Sequence, residues 1–147
     1  MGKWRTLLGA LALSCFTASL FAQSDPYPRL SGIWKGTYNY RDGAGLKEVP
    51  FEIQLAQRGQ SLVGRITEPN TFNRSSTPRL FANLVGIIDG RRLRFIKTYD
   101  GTGGESHSVY YEGELNDDAS VVSGIWIIES RWRGGFKAAR SDSSRGR

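Results

Sequence analysis

Residues 91–99 read Arg91-Arg92-Leu93-Arg94-Phe95-Ile96-Lys97-Thr98-Tyr99, and 107–115 read His107-Ser108-Val109-Tyr110-Tyr111-Glu112-Gly113-Glu114-Leu115. In the first stretch Leu93, Phe95, Lys97 and Tyr99 share one side of a two-residue period, opposite Arg92, Arg94, Ile96 and Thr98. In the second, Val109, Tyr111, Gly113 and Leu115 oppose Tyr110, Glu112 and Glu114. Apolar residues recurring at every second position are the mark of half-buried β-strands. The Gly101-Thr102-Gly103-Gly104 run between them precedes a strand and opens no helix, so it reads as a flexible loop and not as a phosphate cradle.

The same period recurs outward from this pair. Phe51, Ile53 and Leu55 alternate with Glu52, Gln54 and Ala56. Segments of this kind span 31–40, 48–57, 61–68, 80–89, 91–99, 107–115, 121–130 and 134–140. No stretch has helical periodicity and no solenoid repeat stands out, so the expected fold is all-β, an eight-stranded antiparallel up-and-down β-barrel over residues 31–140. Gly36, Gly64, Gly86, Gly113 and Gly124 fall inside segments and permit the coiling that closure needs. Closure removes the two exposed edges of a sheet this size.

The connections sort by parity. Those after the second, fourth and sixth segments are short turns: 58–60, 89–90 and 116–120. Those after the first, third and fifth are longer: 41–47, 69–79 and 100–106. In a meander the odd-to-even connections all lie at one end, so one mouth should be ringed by long loops. Loops on a rigid scaffold and barrel mouths are where small ligands bind.

Length and composition set the outer bounds. The chain has 147 residues, one domain's worth, with a single Cys and a single His. That excludes Cys-ligated zinc, disulfide scaffolds and Cys/His nucleophilic pairs, and no metal or cofactor is expected. Residues 1–22 read as a signal peptide: Lys3 and Arg5, then an apolar run to Ala22 with small residues inside it. The protein is therefore expected to be exported, periplasmic or extracellular, with no membrane segment after cleavage. Lipid attachment at Cys15 is disfavoured, because Leu13 is not three residues before it. Residues 23–30, with Pro26 and Pro28, read as an extended N-terminal arm, and 141–147 as a disordered basic tail. The net charge of +6 is concentrated outside the body, which from Gln23 to Phe136 holds 14 basic and 13 acidic residues. A nucleic-acid binder would carry a basic face there, and none is expected. Asn73-Arg74-Ser75 fits a glycosylation acceptor.

Projecting the alternation inward gives the lumen. It receives Trp34, Tyr38, Tyr40, Phe51, Ile53, Leu55, Leu62 and Ile66 from the first half. Phe95, Lys97, Tyr99, Val109, Tyr111, Val122, Trp126, Ile128 and Phe136 come from the second. Away from the loop-rich end these are core. Near it, Tyr38, Tyr40, Tyr99, Tyr111 and Trp126 are candidates for a ligand wall, since each has a polar handle that needs a partner when buried. Lys97 is the odd member. A buried ammonium needs Asp100, Glu105 or an anionic ligand as partner. His107 borders the same mouth. Glu52, Glu112 and Glu114 face outward and no nucleophile triad is visible, so no catalytic residue is assigned.

Gly32-Ile33-Trp34, the strand Leu93 to Tyr99 followed by a Gly-rich loop and His107-Ser108, Tyr111-Glu112-Gly113, and Gly124-Ile125-Trp126 followed by Ile127 to Ser130 together resemble the avidin and streptavidin family of lipocalin-type barrels. Trp132 lies where that family places a loop Trp that reaches a neighbouring subunit. The resemblance implies the eight-stranded barrel and the position of its site. It does not imply biotin: Gly36 and Tyr40 stand at the first strand's polar positions, and Gly134-Gly135-Phe136 where an Asp is expected. Ser31 to Trp34 also resembles the opening of small periplasmic metalloprotease inhibitors, whose N-terminal arm enters the protease.

The functional expectation is a non-catalytic barrel that binds a small, partly apolar or anionic ligand at its loop-rich mouth through Tyr38, Tyr40, Lys97, Tyr99, His107, Tyr111 and Trp126. The alternative is a protein-binding module such as a protease inhibitor, acting through arm or loops. A barrel isomerase or cyclase using Lys97 or His107 is a distant third.

Overall fold

The structure, a computed structural model, describes residues 26–72, 75–129 and 131–141. The expected leader with Cys15, the expected tail beyond Ser141 and the Asn73 sequon lie outside the described residues. The strands are β1 (Gly32–Asp42), β2 (Gly45–Arg58), β3 (Ser61–Pro69), β4 (Arg79–Asp89), β5 (Arg92–Tyr99), β6 (Ser108–Leu115), β7 (Val121–Ile128) and β8 (Trp132–Arg140). Each pairs antiparallel with the next, and β8 returns to β1 to close the barrel. The chain is thus the expected up-and-down barrel. The alternation works as its register requires: β5 runs exposed, buried, exposed, buried from Arg92 to Tyr99.

Gly113 and Gly124 face each other across β6 and β7. A Cβ on Gly124 would lie 2.0 Å from the Glu112 carbonyl oxygen. The two strands approach there only because a side chain is missing.

The structure corrects two boundaries at the loop end. The first connection is no loop over 41–47. β1 and β2 run on to Asp42 and Gly45, and Asp42 Oδ1 accepts from the Ala44 N–H at 2.8 Å, closing a two-residue hairpin. Trp132 sits not in a loop but at the start of β8, opposite Ile128. The long connections left at this end are 70–78 and 100–107, the second carrying a short 3₁₀ turn at Thr102–Gly104.

Of the expected arm, residues 23–25 lie outside the described residues, and the remainder is corrected. From Tyr27 to Leu30 it packs against the opposite, tight-turn end and does not project as an arm. Leu30 is fully buried, its N–H donates to Gln57 Oε1 at 2.7 Å, and its carbonyl accepts from Trp34 Nε1 at 2.8 Å. Arg140 donates to the Arg29 carbonyl. Above this plug Trp34, Leu62, Leu84, Leu93 and Val122 fill the lumen, leaving a gap of about 20 Å³. One half of the barrel is solid core.

Candidate functional site

The other half is hollow. β1 places Tyr38 and Tyr40, β5 places Lys97 and Tyr99, β6 places Tyr111 and β7 places Trp126; His107 immediately precedes β6. These seven residues line one cavity of about 200 Å³ at the loop-bearing end, together with Phe72, Glu105, Val109, Ile128 and Trp132.

Beneath its floor, in contact with the lining residues Lys97, Tyr38 and Tyr99, lies a group that sequence reasoning missed. Glu68, near the end of β3, is buried and takes the role expected of Asp100 or Glu105. Its Oε2 lies 2.5 Å from Lys97 Nζ. Its Oε1 accepts the hydroxyl of Tyr38 at 3.2 Å and that of Tyr99. Lys97 also donates to the Tyr99 oxygen at 2.9 Å, and its ammonium stands 4.4 Å from the Tyr99 ring centre and 5.1 Å from that of Tyr38. Asp100 is instead bound outside by Arg65 at 2.8 Å, and Glu105 Oε2 lies 3.3 Å from His107 Nδ1. Lys97 is therefore no lone cation awaiting an anion. Its charge is matched within the protein.

The electrostatics follow from this burial. Desolvation raises the phenol pKa of Tyr38, Tyr99 and Tyr111, and the negative charge of Glu68 raises each further. All three remain protonated donors across physiological pH. Desolvation lowers the Lys97 pKa, opposed by the attraction and hydrogen bond of Glu68. Two donors on this floor are uncommitted among the described residues. Tyr111, 4% exposed, makes no hydrogen bond within the protein, and Lys97 has spent two of its three N–H groups.

The walls are aromatic and braced. Trp126 meets Tyr38 edge-on at 6.3 Å, while Tyr111 stacks on Phe95 at 4.7 Å. Trp126 Nε1 donates to the Asn39 carbonyl at 2.9 Å, and Asn39 Oδ1 accepts from the Gly135 N–H at 3.0 Å. That fixes the indole between β1 and β8. At the mouth Tyr99 and His107 lie 4.7 Å apart, with Phe72 edge-on to both at 6.1 and 6.0 Å. Trp132, 57% exposed, forms part of the rim.

No family model and no curated protein matches the chain. Solved structures do. A redesigned β-barrel is 13% identical, with a TM-score of 0.57 over 77% of this chain and 92% of that one. A de novo designed fluorescence-activating β-barrel is 11% identical, with a TM-score of 0.53 over 76% and 94%. A mutant of the fluorescent protein UnaG is 14% identical, with a TM-score of 0.42 over 76% and 96%. The likeness to the two designed barrels is one of fold.

Proposed function

We propose that this chain is an exported, non-catalytic barrel that binds a small, partly apolar molecule in the cavity at its loop-bearing end. The observation that carries this reading is the contrast between the two halves of one lumen. The tight-turn half is packed to a gap of about 20 Å³, whereas the other keeps about 200 Å³ between aromatic walls. Protein interiors close-pack unless something else occupies the space. Apolar walls with a few fixed polar groups are what a small-molecule site requires. The designed fluorescence-activating barrel is a fold neighbour that supports the reading by analogy alone. Export rests on the basic, then apolar, then small-residue order of residues 1–22. The inhibitor reading loses support at its arm, because Tyr27 and Leu30, in the described part of that arm, pack against the barrel's core.

Native mass spectrometry of the mature protein, purified from the medium or the periplasm, tests the proposal. The expected spectrum shows a small bound mass that disappears on denaturation and is absent from Trp126→Ala. A bare chain under gentle conditions, unchanged by that substitution, would overturn it.

A further inference from the structure

We infer that the ligand of this cavity is an electrically neutral, flat molecule of one or two rings, carrying a hydrogen-bond acceptor such as a carbonyl at the end that reaches the floor. The inference rests on the binding reading above and names the chemistry of its occupant.

Size comes first. An apolar protein cavity of about 150 Å³ holds benzene. A volume of about 200 Å³ takes a single substituted ring or two small fused rings, not a sterol or a long acyl chain. Shape follows from the walls: Tyr38, Tyr40, Tyr99, Phe72 and Trp126 offer ring faces and edges on several sides.

Charge is decided by pairing. The Lys97 ammonium stands against the buried carboxylate of Glu68, and the His107 imidazole lies 3.3 Å from the buried carboxylate of Glu105. The floor pair sums to zero. An anionic ligand would add an uncompensated negative charge next to the neutral Lys97–Glu68 pair in a desolvated site, and a cationic one would add an uncompensated positive charge beside Lys97. A neutral molecule incurs neither cost.

Polarity is decided by what is left over. The free groups on the floor are donors: the Tyr111 hydroxyl and one N–H of Lys97. The hydroxyl hydrogens of Tyr38 and Tyr99 and both Glu68 oxygens are already engaged. An acceptor on the ligand satisfies the floor. A purely hydrocarbon end leaves a buried phenol unpaired.

Three probes of nearly equal shape separate these claims: acetophenone (neutral, with an acceptor), cumene (neutral, without one) and benzoate (an anion). Each is titrated by calorimetry into the full mature chain at neutral pH. Acetophenone should bind roughly tenfold more tightly than cumene, the worth of one hydrogen bond to a buried donor. Benzoate should bind at least about tenfold more weakly than acetophenone. Tyr111→Phe should weaken acetophenone several-fold toward the level of cumene and leave cumene unchanged. Equal binding of acetophenone and cumene, or tightest binding of benzoate, overturns the ligand class while the site reading stands. Failure of all three to bind up to their solubility limits overturns both.

Discussion

Lys97 Nζ and Glu68 Oε2 lie 2.5 Å apart although their strands, β5 and β3, are not paired neighbours in the barrel. Both pair with β4, so the two side chains meet on the inner surface across an intervening strand. Each is about 1% exposed. Either charge alone at this depth would cost several kcal/mol. Together, with the hydroxyls of Tyr38 and Tyr99, they close a polar layer linking β1, β3 and β5. It sits where solid core gives way to cavity, so the pair is both the lid of the core and the floor of the site.

A double-mutant cycle should show that coupling. Glu68→Gln leaves Lys97 buried without its counter-charge and should destabilise the barrel by about 3–5 kcal/mol. Lys97→Met leaves the carboxylate with only the two phenols and should also destabilise it. The double variant should lose far less than the sum, since removing both members of a buried pair is often nearly neutral. Urea unfolding of the four proteins gives the coupling. Additive losses would show that the two residues do not act as a pair.

Much of this site is readable from period two alone. The alternation that turns Lys97 inward places Tyr38, Tyr99, Tyr111 and Trp126 inward as well. The same period in β3, from Leu62 through Ile66, reaches Glu68 without a break. What the sequence withholds is the meeting of Glu68 with Lys97. Which inward side chains touch across a strand depends on barrel stagger, and spacing along the chain carries no record of it. The hairpin at 43–44 is hidden for a different reason. Its polar, Gly-rich residues suit a long loop and an extended ribbon equally, and only pairing decides. Pro26 and Pro28 correctly mark a segment that joins no strand, but the burial of Leu30 beneath the barrel is a tertiary event.

That burial has a measurable consequence. Leu30→Ala removes a fully buried side chain from the plug and should cost about 2–5 kcal/mol. The expected readout is a lower urea midpoint with an unchanged slope. If Leu30 belonged to a free arm, the midpoint would not move.

Gly134 guards the site's wall. A Cβ built there lies 2.0 Å from the Asn39 carbonyl oxygen and 2.6 Å from Trp126 Nε1, the two atoms that form the indole's hydrogen bond. Gly134→Ala should therefore break that bond or spread β1 and β8, destabilising the barrel by about 1–3 kcal/mol. A matched Gly43→Ala variant, whose Cβ meets nothing within 4 Å, should show neither effect. Thermal unfolding gives the first comparison and tryptophan emission the second. Equal behaviour of the two variants would show that the wall tolerates a methyl group.

Alkaline pH tests the buried phenols. Burial and the charge of Glu68 hold Tyr38, Tyr99 and Tyr111 above their ordinary pKa of about 10 in the folded state. Above pH 10 the unfolded chain has lost protons that the native state keeps, so stability falls as pH rises, by up to about 1.4 kcal/mol per pH unit for each phenol. Lys97, whose pKa burial lowers, acts with the opposite sign. Its contribution grows as pH rises from the folded pKa and is complete above the unfolded one. Three phenols against one amine leave a net loss above pH 10. Melting temperatures from pH 8 to 11 should drop steeply over the last unit, and Tyr111→Phe should drop less steeply by one phenol's share. Of the six tyrosines, three should show phenolate absorbance only as the barrel unfolds. Reversible ionisation of all six with the circular dichroism intact would mean that the floor is open to water.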